Sequence, residues 1–216
     1  MLNALSTLVF GGTPLKLLVL SDAHGNIFWV RRALNYLERL DVDAITYSGD
    51  SLDEEIVLEL AKAKVPVFAV PGNMDSVVEL EASERVGISV HGKVASFKGY
   101  VFTGVGAVNF NLAEKTVRDE LGKRLHNPGR LILVTHFPPK GTRADVAFYR
   151  VHIGSLTVKR LIEDFKPVLC ACGHVHESRA IDTLGETLIV NPGPVKHGFG
   201  ALVDLDGKKA ELVEID

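Results

Sequence analysis

The sequence predicts an α/β (α+β) fold in which two sheets pack face to face and helices cover their outer sides. Three observations lead there. Strand-length apolar runs alternate with amphipathic helical stretches through the first two thirds. The middle and the tail switch to short alternating segments broken by glycine. With 216 residues, 46% of them hydrophobic, and a mean hydropathy of +0.17, the chain can bury a substantial core.

In chain order, "KLLVLS" (16–21) reads as a buried strand, and "IFWVRRALNYLERL" (27–40) as a helix with apolar residues at three-and-four spacing. "DAITYS" is the next strand, "DEEIVLELAKA" the next helix and "VPVFAV" (65–70) the third strand, the rhythm of βαβ units with parallel strands. "GISVHGKVASFKGYVFTGVGAV" (87–108) alternates with glycines at hairpin spacing and predicts an antiparallel segment. A helix at about 112–126, strand "RLILVT" (130–135), a Pro-Pro-Gly loop, helix "SLTVKRLIEDF" (155–165) and strand "VLCAC" (168–172) follow. Residues 179–215 predict short strands with turns at "TLGE" and "DLDGK".

Residues 1–14 are expected to be an extension and 15–216 a single domain. The extension lacks a basic leader region, and its apolar runs fall far short of the ~20 residues of a membrane span. A net charge of -3 without a run of Lys or Arg gives no electrostatic support to a long nucleic-acid partner, so none is expected, but it leaves room for small phosphates. Two cysteines one residue apart make no disulfide framework, so the expected location is the cytoplasm. A homo-oligomer is compatible with the sequence. No G-x-S-x-G elbow and no GxxxxGK[ST] loop is present, which removes serine-hydrolase and P-loop chemistry.

The metal-capable residues fall in five loops, each after an apolar strand: "SDAHGN", "GDSLD", "PGNMD", "HFPP" and "GHVH". Loops beyond the carboxyl ends of strands converge on one crevice. Residues two apart in extended chain face the same way, so Asp22 with His24, and His174 with His176, each present two donors to one cavity. With Asp50, Asn73 and His136 they form a set of oxygen and nitrogen donors suited to Mn, Fe, Zn, Co or Ni. Buried charges are expensive unless paired or bound to metal, so packing alone is a poor account of such a set. Cys170 and Cys172 alternate with Leu169 and Ala171 and read as small core residues.

These five motifs, in this order, resemble the signature of the calcineurin-like metallophosphoesterase superfamily. The likeness runs from about Leu15 to the C-terminus, and the "HFPPKG", "VHIGS" and "NPG" segments resemble its small prokaryotic phosphodiesterase branch, which also contains a retromer sorting subunit. The resemblance implies a four-layer αββα sandwich of two mixed β-sheets and two divalent metal ions, Mn foremost. Asp22, His24 and His176 would hold the first ion, Asn73, His136 and His174 the second, and Asp50 would bridge them. The implied activity is hydrolysis of a small or nucleotide-like phosphodiester by a metal-bridging hydroxide, with Asn73 also contacting substrate. Alternatives within the same fold are a phosphomonoesterase, a nucleotide pyrophosphatase or a protein-binding scaffold like the retromer subunit.

One departure bears on chemistry. Family members that cleave monoesters well often carry His after the motif Asn, and here the residue is Met74, which can neither donate a proton nor carry positive charge. Diesters, or esters with good leaving groups, are therefore the expected substrates. His152 is a candidate substitute acid, and Arg143 and Arg150 are candidate grips on phosphoryl oxygens, against simpler roles as a helix-start residue and solvated loop charges. Asp53, Asp75 and Asn26 read as helix caps, the first two with an equal claim to orient metal ligands. His91 and His126 read as surface residues, and His197 as a residue whose loop approaches the site. "GVGAVN" (104–109) has the glycine spacing of a dinucleotide fingerprint but reads as a turn.

Overall fold

A computed structural model describes residues 14–124 and 128–215; most of the predicted extension and His126 lie outside them. The elements are β1 (Lys16–Leu20), α1 (Ile27–Tyr36), β2 (Ala44–Tyr47), α2 (Glu54–Leu60), β3 (Val67–Ala69), α3 (Val77–Arg85), β4 (Val94–Phe97), β5 (Tyr100–Val105), α4 (Phe110–Arg124), β6 (Leu131–Thr135), β7 (Val146–Ala147), β8 (Val151–His152), α5 (Leu156–Phe165), β9 (Leu169–Ala171), β10 (Ala180–Leu184), β11 (Thr187–Asn191), β12 (Phe199–Asp204) and β13 (Lys209–Glu214).

One sheet has the order β13-β12-β1-β2-β3, with β1, β2 and β3 parallel and the two tail strands antiparallel. The other has the order β10-β11-β9-β6-β5-β4, with β5, β6, β9 and β11 parallel and an antiparallel strand at each edge. Alternation along each strand divides its side chains between two interiors. Leu17 and Val19 of β1 join Phe68, Phe102, Ile132, Val134 and Ala171 between the sheets, where Phe68 stacks on Phe102 at 3.7 Å. Leu18 and Leu20 face outward and pack with Val30, Ala33, Ile56, Leu60 and Ala82 from α1, α2 and α3. On the far side, Leu131, Leu133, Cys170 and Ile189 pack against Val117 and Leu121 of α4 and Leu161 and Ile162 of α5. The αββα layering is therefore as expected. No helix among the described residues is long and apolar enough to cross a membrane.

Several local expectations need correction. The hairpin β4–β5 is antiparallel, but β5 continues into a parallel pairing with β6, so Gly104 of "GVGAVN" lies within a strand. A Cβ there would sit 2.4 Å from the Val70 side chain, and the reason for glycine is close approach of the sheets. His91 is buried, not a surface residue, and its Nδ1 accepts a hydrogen bond from the Gly106 N–H at 2.9 Å. Asp53 caps α2 through the Glu55 N–H, as expected. Asp75 does not cap α3: Ser76 does, in a capping box with Glu79. Asn26 stands before α1 without capping it, and its amide donates to the Lys196 carbonyl instead. His197 itself is exposed in a short 3-10 turn, but its loop does approach the site, because the Val195 N–H donates to the Ser21 carbonyl at 2.7 Å and the Lys196 N–H to the Asp22 carbonyl at 3.4 Å.

Candidate metal centre

The loops after β1, β2 and β3 meet the loops after β6 and β9 at one edge of the sandwich. Their main chains are tightly interlocked: the Asp22 N–H donates to the Gly49 carbonyl, the His24 N–H to Asp50, and the Gly173 N–H to His136. Two close approaches demand glycine. A Cβ on Gly72 would lie 2.0 Å from Asp50 Oδ1, and one on Gly173 would lie 1.8 Å from Ser21 Oγ. Four of the seven candidate ligands occupy the left-handed region: Asp22 (φ 58°), His24 (φ 45°), Asp50 (φ 57°) and His174 (φ 70°). Such backbone strain persists where surrounding structure enforces it, typically at functional sites.

The side chains converge. Nε2 of His24 and Nε2 of His176 lie 3.1 Å apart, and they stand 3.8 and 3.3 Å from Asp22 Oδ1. Asp50 places Oδ2 3.7 Å from His24 Nε2 and Oδ1 3.7 Å from His136 Nε2, so it stands between the two groups. His136 donates from Nδ1 to the Ser48 carbonyl at 2.7 Å, which fixes its tautomer and turns Nε2 toward Asn73 Oδ1, also at 2.7 Å. In the neutral ring that nitrogen and that oxygen are both acceptors, and a shared cation would relieve their opposition. The His174 ring packs edge-on against His136 and Phe137, while the backbone N–H of His174 donates to Asp22 Oδ2 at 3.2 Å.

Donor atoms of Asp22, His24 and His176 all lie within 4.8 Å of one another, and so do those of Asp22, Asp50 and His136. Asp22 thus reaches both groups, a sharing that the residue assignment implied by the motifs does not contain. Its Oδ1 is buried and accepts no hydrogen bond, as a carboxylate oxygen reserved for a cation would be. Burial works to raise the Asp22 pKa, but the His176 and His24 rings outweigh it and hold the carboxyl well below the usual carboxylate range. Burial, with the nearby His136, lowers the His174 pKa and so favours the neutral, ligating ring. Among the described residues, neither Asp22 nor Asp50 pairs with Lys or Arg. The carboxylates are buried, whereas His24, His174 and His176 are partly open and Asn73 is exposed, so the donor set faces solvent from one side.

Residues that were ambiguous or silent in the sequence hold this set in place. Asp75 accepts from the N–H groups of Asp50 (2.9 Å), Leu52 (2.8 Å) and Gly72 (2.7 Å), which settles its role in favour of orienting the Asp50 loop. Burial raises its pKa despite the amides of Gly72 and Leu52. Tyr47 Oη accepts from the Ala23 N–H, and Asn191 donates to the Val175 carbonyl between the two histidines of "GHVH". Arg143 and Arg150 are exposed, and neither guanidinium forms an ion pair among the described residues; the Arg143 N–H bonds Asp182. His152 pairs with Asp145 rather than with any of the seven donors.

A model of the calcineurin-like phosphoesterase superfamily domain matches residues 15–203. The chain belongs to this superfamily. The uncharacterized protein MJ1162 of Methanocaldococcus jannaschii is 32% identical over 198 residues, covering 85% of this chain and 90% of its own. Among solved structures, TT1561 of Thermus thermophilus superposes with a TM-score of 0.78 at 20% identity, over 94% of this phosphoesterase-family chain and 100% of its own. An archaeal phosphodiesterase gives 0.61 at 15% identity, over 93% and 99%. Vps29 of Cryptosporidium parvum gives 0.51 at 13% identity, over 93% and 96%. At these identities the structural likenesses establish the fold. Neither cysteine is among the converging side chains: Cys170 and Cys172 are fully buried in β9 and just beyond it.

Proposed function

We propose that this superfamily member is a metal-dependent phosphodiesterase acting on a small or nucleotide-like phosphodiester. Asp22, His24 and His176 would hold one divalent cation, Asn73, His136 and His174 a second, and Asp50 would serve both, with manganese the first ion to try. The observation that carries the reading is the pair of buried carboxylates, Asp22 and Asp50, faced by imidazoles and by no Lys or Arg among the described residues. Two cations held by these residues would supply Lewis-acid activation of water and charge neutralisation at phosphoryl oxygens.

The chain's own residues define the rest. Asp22 and Asp50 give the site its negative charge, and the Ser48 carbonyl keeps His136 in the ligating tautomer. Asn73, exposed beside His136, would meet both cation and substrate, and the exposed Arg143 and Arg150 would grip non-bridging oxygens. Met74 donates its backbone N–H to Asp50 Oδ1 at 2.9 Å and leaves an exposed thioether where a proton donor would serve a monoester.

The deciding experiment strips the protein of metal, reloads it with manganese and compares a p-nitrophenyl diester with the matching monoester, using Asp50→Ala as background. Metal-dependent turnover that favours the diester is the expected result. Turnover no higher than the Asp50→Ala background would overturn the reading in favour of a binding scaffold, for which the exposed Phe148 (73%) and Tyr149 (98%) would be the first surface to test.

A further inference from the structure

With Met74 in place of a proton donor, the leaving group needs another source, and the loop between β6 and α5 contains one built with unusual care. Asp145 is 0% exposed. It accepts from the N–H groups of Gly141 (3.1 Å), Thr142 (3.0 Å) and Gly154 (3.1 Å), so its carboxylate is fixed from three sides. A fourth donor is His152, whose Nδ1 lies 2.7 Å from Asp145 Oδ1. That bond commits Nδ1 to the carboxylate and leaves Nε2 without a hydrogen-bond partner among the described residues, on a side chain that is 46% exposed. Glycine at 154 is required by this packing, because a Cβ there would lie 2.7 Å from both the Asp145 side chain and the Pro138 carbonyl.

The segment is also tied to both histidine loops. The Ser155 N–H donates to the Pro138 carbonyl, two residues beyond His136, at 2.8 Å. On the other side, the Phe148 N–H donates to Glu177 Oε1 at 3.0 Å, and Ser178 Oγ bonds the Val146 carbonyl; Glu177 directly follows His176. Tyr149 and Arg150, at the tip, are both held at positive φ (61° and 59°), so the excursion carries strain that its anchors must sustain.

We infer that Asp145 and His152 form the general-acid pair of this phosphodiesterase, with His152 Nε2–H as the proton donor and Asp145 as the residue that positions it. The inference depends on the phosphodiesterase reading above. As the phosphorus–oxygen bond to the leaving group breaks, its electron pair stays on the leaving oxygen, which takes the Nε2 proton. The attacking water oxygen bonds phosphorus and releases its own proton to solvent, from which the ring is reprotonated. Atoms and charge then balance, with a monoester and an alcohol as products.

The test is the leaving-group dependence of turnover on methyl aryl phosphodiesters from p-nitrophenyl to unsubstituted phenyl, for manganese-loaded wild type and His152→Asn. Asparagine preserves a nitrogen donor to Asp145 but has no transferable proton, and an unchanged melting profile would confirm that the loop is intact. The expected loss is about 10²-fold on the phenyl ester and less than tenfold on the p-nitrophenyl ester. Equal losses at both ends of the series, or none, would overturn the pair, because a merely structural residue does not discriminate among leaving groups. Absence of metal-dependent turnover in the wild type would sink the phosphodiesterase reading itself, and the acid pair with it.

Discussion

Asp75, in the loop after β3, and Asp145, in the segment between β6 and α5, face the same local problem. Each is a buried carboxylate that gathers three main-chain N–H groups from loop segments. They differ in the fourth contact. The hydrogen bonds of Asp75 run to main chain, and two of those amides belong to Asp50 and Leu52, so its effect ends in the placement of the Asp50 carboxylate. Asp145 holds no candidate ligand, but it binds a histidine side chain whose second nitrogen is free. The same device thus fixes a candidate ligand in one place and orients a histidine ring in the other. Burial with main-chain donors alone marks scaffolding, whereas an added side-chain donor marks a place to look for chemistry.

The strongest way to break this contrast is at the metal. Asp75→Ala orphans three N–H groups in and around the Asp50 loop, and should cost about 3 kcal/mol of stability. It should also weaken manganese binding by about 10- to 100-fold, the usual scale for residues that orient ligands. Thermal unfolding and calorimetric titration of the metal-free protein would measure both. Wild-type metal affinity in a folded Asp75→Ala protein would show that the Asp50 loop keeps its shape unaided.

Asp145→Ala sharpens the contrast from the other side. It removes as many main-chain partners, so a stability loss of similar order, about 3 kcal/mol, is expected. Manganese affinity should change by less than about threefold, because none of the seven donors bonds Asp145. The kinetic loss should instead grow as the leaving group worsens. A 10-fold or greater loss of metal affinity would make Asp145 a second Asp75 and dissolve the distinction.

The sequence made the two sides unequally legible. The seven candidate ligands could be found because each follows a strand of clear periodicity, and strand ends of parallel sheets converge. Asp75 was half visible: it precedes a helix, where a cap explains it as well as ligand orientation does, and only the structure shows Ser76 in the capping role. Asp145 was not visible. Its donors lie three to nine residues away on both sides of a loop whose strands, β7 and β8, have two residues each, too few to show a period. His91 misled for a related reason, since its turn position suggested exposure while the chain from 104 to 106 returns to cover it.

Cys170 and Cys172 extend the comparison to buried acids with no gathered donors, and there the smallest effect on the site is expected. Cys170 has only Thr135 Oγ1 at 3.6 Å, and Cys172 donates to the Val190 carbonyl at 3.5 Å. Burial pushes the Cys170 thiol up to about 12 and the Cys172 thiol well above its ordinary value. An unfolded thiol ionises near pH ~8.5, so above that pH the unfolded state binds fewer protons than the folded one. Stability fully present below about pH 8.5 is then lost as pH rises toward the folded values, at up to ~1.4 kcal/mol per pH unit for each thiol. The double variant Cys170→Ala, Cys172→Ala should flatten this alkaline limb in unfolding curves taken from pH 8 to 10.5, at a cost of about 1 kcal/mol per residue near neutrality. Its manganese affinity and diester turnover at pH 7.5 should stay within about twofold of wild type. A larger change in either would mean that β9 does more than deliver His174 and His176, and that burial without gathered donors is not the mark of a purely structural acid here.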